Sequence, residues 1–345
     1  MNIISNVDLS CANTLRLPCQ AERFAAPTTL TALRQTLAQA CCEEWPVTLL
    51  GGGSNVLLPE TLPGLVVRPA LNQWWLFTDQ LGGQQEQVFA HVGAGVSWHA
   101  LVMATAARGL WGIENLALIP GSCGAAPVQN IGAYGVELAD TLLAVQVMEL
   151  ATGRVEWLNA QQCAFGYRDS IFKGALAGSV VITQLVLRLS RTPAPRLGYG
   201  DLAARLASSS LTPTPTPLAV AEAVCAIRRE KLPDPQVLAN AGSFFKNPLV
   251  ADAQAAELLH QYPAMPHFPQ RGGQTKLAAG WLIDQCGLKG MRDGAFGVHQ
   301  HQALVLVHFG GGDRQGLMKT ANYIAAQVDT RFGVRLEPEP RLVNP

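Results

Sequence analysis

Residues 112–135 read GIENLALIPGSCGAAPVQNIGAYG, and from Pro120 onward almost every residue is small or carries an amide. Core helices and strands are not built from such residues, so the stretch predicts a long surface loop. A loop of this length within a compact domain is usually functional. Its uncovered backbone suits the close approach of a large flat ligand with phosphate groups. We therefore predict a ligand cradle here, and the alternative is a loop without a ligand.

A second small-residue stretch, GGGSN at residues 51–55, directly follows VTLL at residues 47–50, which predicts a short buried strand. Consecutive glycines allow backbone N–H groups to turn inward and bind an anion such as a phosphate. Ser54 and Asn55 can add side-chain donors, although a plain loop after a strand explains the stretch equally well. An NTPase and a Rossmann site are disfavoured, because the GK[ST] ending of a P-loop is missing and no GxGxxG follows a strand.

The composition of the chain excludes several classes of protein. The 345 residues, 48% of them hydrophobic, are enough for two or three domains with sizeable cores. The formal net charge is zero, which does not favour nucleic acid or an anionic membrane surface as a partner. Because no apolar run reaches the ~18 residues that span a bilayer and no export signal is recognisable, we expect a cytoplasmic protein. The cysteines and histidines have no metal-ligand spacing, so we expect no metal.

Hydrophobic periodicity and capping residues predict a chain of mixed helices and strands. Ser97 and Thr216 are predicted N-caps, Pro217 is a predicted first helical residue, and Gly109 is a predicted C′ residue. A turn at residues 272–274 is predicted between two helices. The predicted helices cover residues 29–42, 98–108, 217–230, 252–262, 275–286 and 317–332. The predicted strands cover residues 47–50, 65–68, 88–92, 142–150, 153–158, 180–189 and 303–308.

A third stretch, NAGSFFKNP at residues 240–248, places a hydroxyl, a cation and an amide within five residues. Gly242 permits backbone angles that are closed to other residues, so a bent backbone could present the hydroxyl of Ser243. Phe244 and Phe245 can be buried on either side of the chain. Taken alone, the stretch is explained more simply by a tight turn with a capping serine, and both interpretations stay open.

Three further polar residues lie where the local sequence restricts them. Arg168 lies among apolar and aromatic residues in FGYRDSIFK, residues 165–173, where an unpaired buried cation is costly. It either pairs with Asp169 or another carboxylate, or it clamps the carboxylate of a ligand. Tyr199 lies between two glycines, as on a mobile flap. Glu339 lies between two prolines and is either a terminal surface residue or a carboxylate aimed at a site.

Taken together and in order, these motifs resemble one family of enzymes. GGGSN, IPGSCGAAPVQNIGAYG, YRDSIFK, YGDL, KLPDP, NAGSFFKNP, KLAAGWLID and LEPE are similar to the motifs of the UDP-N-acetylenolpyruvoylglucosamine reductases, also called UDP-N-acetylmuramate dehydrogenases. The resemblance covers about residues 15–341, and YGDL resembles the subgroup with an additional tyrosine flap. It implies an α+β fold with an FAD-binding domain of the vanillyl-alcohol-oxidase (PCMH) type and a C-terminal α+β substrate domain. The implied limits are 15–190 for the FAD-binding domain (subdomains of about 15–70 and 71–190), 191–217 for a linker with the flap, and 218–345 for the substrate domain, whose last residues return to the active site.

The resemblance also implies the reaction. A flavoprotein oxidoreductase of this family reduces UDP-N-acetylglucosamine enolpyruvate to UDP-N-acetylmuramate in peptidoglycan synthesis, and so serves cell wall biogenesis, cell shape and cell division. NADPH, the co-substrate, would reduce non-covalently bound FAD, which would pass a hydride to the enolpyruvyl β-carbon. Arg168 matches the clamp on the substrate carboxylate, Glu339 matches a carboxyl group acting with it at a raised pKa, and Ser243 matches the proton donor to the α-carbon. We expect no nucleic-acid or membrane partner, and we expect a monomer.

The same matching assigns further residues to the two ligands. Those expected to contact FAD are Gly51, Gly52, Gly53, Ser54, Asn55, Pro120, Gly121, Ser122, Gly124, Ala125, Gln129, Asn130, Gly132, Tyr134 and Gly135. Those expected to contact the UDP-sugar are Tyr167, Tyr199, Arg228, Lys231, Asn247 and Gln302. The chain departs from the family at Pro340, which replaces an aliphatic residue, and in a longer loop at residues 79–87. Two alternatives remain: a flavin-dependent oxidase of the same fold acting on an alcohol or hydroxy acid, and a catalytically silent protein that binds flavin or a nucleotide sugar.

Overall fold

The computed structural model describes residues 2–78, 87–209 and 214–344, so the predicted long loop at residues 79–87 lies, except for Gln87, outside the described residues. In chain order the strands are β1 (Ile3–Asp8), β2 (Gln20–Ala25), β3 (Val47–Leu49), β4 (Val56–Leu57), β5 (Thr61–Val67), β6 (Trp74–Thr78), β7 (Gln87–Gly93), β8 (Gly132–Ala133), β9 (Val136–Glu137), β10 (Leu142–Glu149), β11 (Val155–Asn159), β12 (Val180–Ser190), β13 (Ala239–Ser243), β14 (Leu249–Ala251), β15 (His267–Gln270), β16 (Gln274–Leu277), β17 (Arg292–Asp293), β18 (Phe296–Val298), β19 (Val305–His308) and β20 (Arg341–Leu342). The α-helices are α1 (Leu30–Cys42), α2 (Trp98–Ala106), α3 (Leu202–Ser209), α4 (Pro217–Lys231), α5 (Asp252–Gln261), α6 (Ala279–Gln285) and α7 (Arg314–Phe332).

The chain forms two compact units, each built from several segments. Unit 1 consists of Met1–Val7, Ala21–Gly52 and Leu62–Arg228. Unit 2 consists of Asp8–Gln20, Gly53–Thr61 and Arg229–Pro345. These units are defined by compactness, whereas the limits expected from the sequence are functional domains, and those limits stay a prediction.

The first sheet of unit 1 has the strand order β1-β2-β5-β3, with β3 parallel to β5. Helix α1 begins where predicted, because the hydroxyl of Thr29 accepts the N–H of Ala32 at 3.1 Å and caps the helix. Its apolar face, which includes Leu33 and Leu37, packs in one core with β5. The strand predicted after Pro46 is confirmed as β3, but its residues are half-buried and not fully buried.

The second sheet of unit 1 is antiparallel and has the order β11-β10-β12-β7-β6. The predicted hairpin of β10 and β11 and the predicted strand β12 are therefore confirmed. Helices α2 and α4 contribute buried residues to the core of this sheet. Ser97 caps α2 as predicted, but the helix ends at Ala106, two residues early, so Gly109 is not its C′ residue. The N–H groups of Arg108 and Gly109 instead make shorter turns back to Thr105 and Ala106.

The linker predicted between the domains is partly helical. Helix α3 lies within residues 191–217, and α4 begins at Pro217, as predicted. The hydroxyl of Thr216 accepts the N–H of Ala219 at 3.1 Å, so the predicted N-cap is confirmed.

Unit 2 contains a sheet with the order β13-β19-β18-β17, a sheet with the order β14-β16-β15, a parallel pair of β20 and β4, and the long helix α7. The helix predicted at residues 275–286 begins only at Ala279, because Gln274–Leu277 form strand β16. Thr275 and Leu277 are its buried residues, so burial follows the two-residue period of a strand. The predicted turn at residues 272–274 thus joins β15 to β16 and does not join two helices. No helix in the described part of the chain is both long and apolar enough to cross a membrane.

Candidate active site

Small residues from separate parts of unit 1 pack backbone against backbone. A Cβ atom on Gly52 would lie 2.7 Å from the Cα atom of Gly121, and one on Gly124 would lie 2.6 Å from the Cβ atom of Ala94. The N–H of Gly124 donates to the carbonyl of Ala94 at 2.8 Å, which fixes this contact. Side chains at these glycines would force the segments apart, so the close packing explains why glycine is needed there.

The stretch at residues 112–135 is not a surface loop, which corrects the sequence prediction. It contains two 3₁₀ turns, Glu114–Leu116 and Cys123–Gln129, and it buries Asn115 and Ile131. The prediction failed because small residues were taken as a sign of exposure, whereas here they permit tight packing. The Glu114 carboxyl group is also buried, and burial raises its pKa although it accepts the N–H of Gly112.

These segments fit the FAD that the sequence predicts. Backbone N–H groups in glycine-rich turns can bind a pyrophosphate, although the Cβ positions of Gly51, Gly52 and Gly124 face other parts of the protein. Gly51 and Gly52 belong to unit 1, whereas Gly53 to Asn55 belong to unit 2, where a Cβ on Gly53 would overlap the carbonyl oxygen of Ala12 at 1.9 Å. In the described residues no group of three or more His, Cys, Asp or Glu side chains could hold a metal ion.

Arg168 adopts a left-handed backbone conformation, with φ at 54°. Its Nη2 atom donates to the carbonyl of Gly132 at 2.8 Å, and its guanidinium lies 5.6 Å from the ring centre of Tyr167. The Nζ atom of Lys173 donates to the Arg168 carbonyl at 2.9 Å. The neighbouring Asp169 carboxylate accepts the N–H of Ser170. The structure therefore brings Arg168 together with Gly132, one of the predicted flavin contacts.

Arg228 lies close enough to Arg168 and Tyr134 to interact with both electrostatically. Burial lowers the pKa of the Arg228 guanidinium, and the positive charge of Arg168 acts in the same direction. The Nε atom of Arg228 is buried and has no hydrogen-bond partner among the described residues. A buried cation next to a second cation is unfavourable unless an anion is bound, so this part of unit 1 is suited to an anionic ligand.

The segment before Tyr199, where a tyrosine flap is predicted, is held by hydrogen bonds and an ion pair. Tyr199 is 49% exposed, and its ring meets the ring of Tyr134 edge to face at 6.0 Å between centres. The Nδ2 atom of Asn115 donates to the carbonyl of Tyr134 at 2.9 Å and to that of Arg196 at 2.8 Å. Arg196 also pairs with Asp140 at 2.6 Å. The sequence gives no signal for these bonds of Asn115, which tie the segment before Tyr199 to the buried stretch.

Ser243 is the last residue of a bulged strand, so the alternative of a tight turn with a capping serine is wrong. It pairs with Val305 of β19 after a register shift, and Gly242 supplies the bulge with φ at 70°. Phe244 and Phe245 are buried, as predicted, with 0% and 1% exposure. The Ser243 hydroxyl makes no hydrogen bond to any of the described residues.

Glu339 is held beside the strand that carries Ser243. Its N–H donates to the carbonyl of Phe244 at 2.8 Å, and the neighbouring Pro338 forms a bridge with Phe245. Lys246, in turn, pairs with Glu337 at 3.3 Å. Glu339 is half-buried and is not a loose terminal surface residue. The structure thus brings the backbones around Ser243 and Glu339 together within unit 2.

The remaining predicted substrate contacts lie in different places. Tyr167, Tyr199 and Arg228 belong to unit 1, whereas Lys231, Asn247 and Gln302 belong to unit 2. The Oδ1 atom of Asn247 accepts the N–H of Ala279 at 3.0 Å and so supports the start of α6.

The side chain of Asn130, a predicted flavin contact, makes its hydrogen bonds to other groups of the protein. Its Nδ2 atom donates to the carboxylate of Glu137 at 2.8 Å and to the carbonyl of Gly166 at 3.1 Å. Its Oδ1 atom accepts the N–H of Ala139 at 3.0 Å. The sequence gives only a weak signal for these hydrogen bonds, because no periodicity relates Asn130 to the residues that it bonds.

Comparisons with known proteins agree on one family. A family model described as UDP-N-acetylenolpyruvoylglucosamine reductase, C-terminal domain, matches residues 234–343, and an FAD binding domain model matches residues 21–159. The chain is 47% identical to the UDP-N-acetylenolpyruvoylglucosamine reductase of Chromobacterium violaceum, over 98% of both chains. It is 45% identical to that of Pasteurella multocida, over 96% of this chain and 94% of the relative.

Two solved structures share the fold. The UDP-N-acetylenolpyruvylglucosamine reductase of Thermus caldophilus matches with a TM-score of 0.66 and 24% identity over 100% of both chains. The 6-hydroxy-D-nicotine oxidase of Arthrobacter nicotinovorans matches with a TM-score of 0.55 and 16% identity, over 97% of this chain and 86% of that chain. The α+β fold with an FAD-binding domain of the PCMH type, predicted from the motifs, is therefore confirmed.

Proposed function

Because this chain belongs to the UDP-N-acetylenolpyruvoylglucosamine reductase family, we propose that Arg168, Ser243 and Glu339 carry the reduction of the enolpyruvyl group. The protein is an FAD-containing oxidoreductase that reduces UDP-N-acetylglucosamine enolpyruvate with NADPH in peptidoglycan synthesis. The observation that carries the assignment of Arg168 is the position of its guanidinium, which donates to the carbonyl of Gly132 at 2.8 Å in the glycine-rich stretch.

Arg168 has the chemistry of a clamp for the substrate carboxylate. FAD, when bound, supplies the hydride transfer from NADPH to the enolpyruvyl double bond. Negative charge then develops on the α-carbon and its carboxylate, and a fixed guanidinium stabilises that charge. The bond from Arg168 to Gly132 and the contact with Tyr167 hold the guanidinium before the substrate arrives, so little reorganisation is needed.

Ser243 is proposed as the proton donor to the α-carbon. Its hydroxyl has no partner among the described residues, so its proton is available to a ligand. A serine is a weak acid, but the acceptor is a strongly basic enolate carbon. Glu339 is proposed to act on the substrate carboxylate together with Arg168, because its backbone is held beside the strand that carries Ser243.

The ligand contacts are proposed on the same basis. The glycine segments at residues 51–55 and 120–135 are proposed to bind FAD, because an FAD binding domain model matches residues 21–159 and glycine-rich main chain can bind a pyrophosphate. The residues proposed to bind the UDP-sugar are Tyr167, Tyr199, Arg228, Lys231, Asn247 and Gln302. We further propose that the protein acts in the cytoplasm as a monomer, with an FAD-binding domain at residues 15–190, a linker at 191–217 and a substrate domain at 218–345.

Anaerobic single-turnover spectroscopy tests the function. NADPH should bleach the flavin absorbance of the purified protein, and UDP-N-acetylglucosamine enolpyruvate should then restore it with formation of UDP-N-acetylmuramate. Failure of NADPH to bleach the flavin would contradict the proposal. Rapid recovery with dioxygen but not with the enolpyruvyl substrate would favour an oxidase, and a protein that binds both ligands without turnover would favour a binding protein.

A further inference from the structure

The backbone of Arg168 is in a conformation that its side chain disfavours. A φ of 54° lies in the left-handed region, where the Cβ atom crowds the neighbouring carbonyl oxygen. Gly166 and Asp169 exchange two backbone hydrogen bonds, at 3.0 and 3.3 Å, so Arg168 lies within a closed turn. A non-glycine residue persists in this region only where its surroundings fix it, and such residues are concentrated at functional sites.

Two contacts fix the two ends of Arg168. At the side-chain end, the guanidinium donates to the carbonyl of Gly132 at 2.8 Å. At the backbone end, the ammonium group of Lys173 donates to the Arg168 carbonyl at 2.9 Å. A hydrogen bond from a charged donor is stronger than one between neutral groups. Lys173 is half-buried, so its bond is partly protected from water.

We propose that Lys173 is a positioning residue for Arg168, which it holds in the left-handed conformation that directs the guanidinium to the substrate carboxylate. This inference rests on the proposed function of Arg168. Without the ammonium group, the peptide after Arg168 can rotate toward the favoured right-handed region. The guanidinium would then leave its position, and stabilisation of the developing charge would be lost, whereas reduction by NADPH does not need that charge stabilised.

The test compares the two half-reactions in Lys173→Met and Lys173→Arg. Methionine keeps the length of the side chain but cannot donate, whereas arginine keeps the charged donor. We expect Lys173→Met to slow flavin reoxidation by UDP-N-acetylglucosamine enolpyruvate about 10- to 100-fold, the equivalent of one charged hydrogen bond. The rate of flavin reduction by NADPH should stay within about twofold, and Lys173→Arg should recover most of the lost rate.

Lys289→Met is a matched control, because Lys289 makes an equally short bond, 2.7 Å to Asp284, on the surface of unit 2. It should change neither half-reaction. A double-mutant comparison adds a second readout: Arg168→Gln should slow reoxidation much less in the Lys173→Met protein than in the wild type, because the two residues act together.

Two results would overturn the inference. Unchanged reoxidation in Lys173→Met shows that Arg168 needs no help from Lys173. Equal slowing of both half-reactions, with no recovery in Lys173→Arg, shows that Lys173 only supports the fold. Neither result touches the proposed function, which fails separately if the wild-type reduced flavin is not reoxidised by the enolpyruvyl substrate.

Discussion

Arg168 and Ser243 are held in place by different kinds of contact. Arg168 lies in an irregular stretch, residues 164–173, which we call the arginine segment, where polar side chains hold a strained backbone. Ser243 lies in residues 239–247, the serine segment, where strand pairing and buried aromatic rings hold the chain. In the serine segment the left-handed residue is a glycine, Gly242, whereas the arginine segment has two left-handed residues that are not glycine, Ala164 and Arg168.

The difference separates two ways of building a rigid site. Backbone pairing and apolar burial leave the Ser243 hydroxyl outside the supporting contacts, so the chemistry and the support are carried by different groups. In the arginine segment the side chain of Arg168, the proposed clamp, also takes part in its own support through the bond to Gly132. A substitution in the serine segment should therefore change either activity or stability, whereas a substitution in the arginine segment should change both.

The largest effect is expected from Ser243→Ala, which removes the proposed proton donor and no supporting contact. Reoxidation of the reduced flavin by the enolpyruvyl substrate should slow about 10²- to 10⁴-fold, the usual loss for one general acid. Reduction by NADPH and the free energy of unfolding should hardly change. Stopped-flow measurement of each half-reaction checks this, and reoxidation near the wild-type rate would remove Ser243 from the mechanism.

Phe244→Ala should lower the stability of the protein, because Phe244 belongs to the apolar core that supports the serine segment. The Phe244 side chain is 0% exposed and contacts Phe245 edge to face at 5.2 Å between ring centres. Truncation should lower the free energy of unfolding by about 3–5 kcal/mol, because a large cavity is left in the core. Urea denaturation measures this. Phe268→Ala on the 39% exposed Phe268 is a control and should cost much less.

The regular parts of the fold were predictable because local rules govern them. Ser97 and Thr216 cap helices as predicted, since a hydroxyl before an apolar period is a local signal. The strand β16 was missed because residues 274–277 are too few to separate a two-residue period from a helical one. The buried stretch at residues 112–135 was taken for a surface loop, since close packing of small residues depends on partners distant in sequence.

The sequence predicts the residues of the candidate site, whereas the contacts that support them are seen only in the structure. Ser243, Arg168 and Glu339 stand in long motifs that resemble a known family, and the family itself is confirmed. The bonds of Lys173, Asn115 and Asn130 follow no spacing rule, because each joins a side chain to a backbone carbonyl in irregular structure. Such contacts depend on three-dimensional arrangement, so a sequence alone does not reveal them.

Asn130→Ala tests how strongly side chains support the arginine segment. Asn130 is 1% exposed, and its loss would leave the Gly166 carbonyl and the Ala139 N–H without this partner. We expect the free energy of unfolding to fall by about 1–3 kcal/mol, because buried groups are left unsatisfied and because alanine tolerates the φ of 43° at this position less well than asparagine. Because the Arg168 turn is then loosened, reoxidation by substrate should slow as well. Asn159→Ala, at an exposed asparagine whose Oδ1 atom accepts the N–H of Gln162, is the control; it should lower stability less and leave reoxidation unchanged.

The smallest effects concern the left-handed residues themselves. A Cβ on Gly242 would meet nothing within 4 Å, so Gly242→Ala introduces no clash and only the cost of a φ of 70°. The free energy of unfolding should fall by about 1–2 kcal/mol. Gly242→Asn should cost less, because asparagine tolerates this region better than alanine. Equal losses in the two variants would show that the bulge needs glycine for another reason.

Ala164→Gly is the reciprocal test in the arginine segment. Ala164 is exposed and already has a φ of 46°, so glycine removes crowding without removing a buried contact. Glycine also makes the unfolded chain more flexible, which offsets part of the gain. We expect a net stabilisation of about 0.5 kcal/mol in urea denaturation. A destabilisation would mean that entropy of the unfolded chain outweighs backbone strain at this position, and that the strain at Arg168 is correspondingly small.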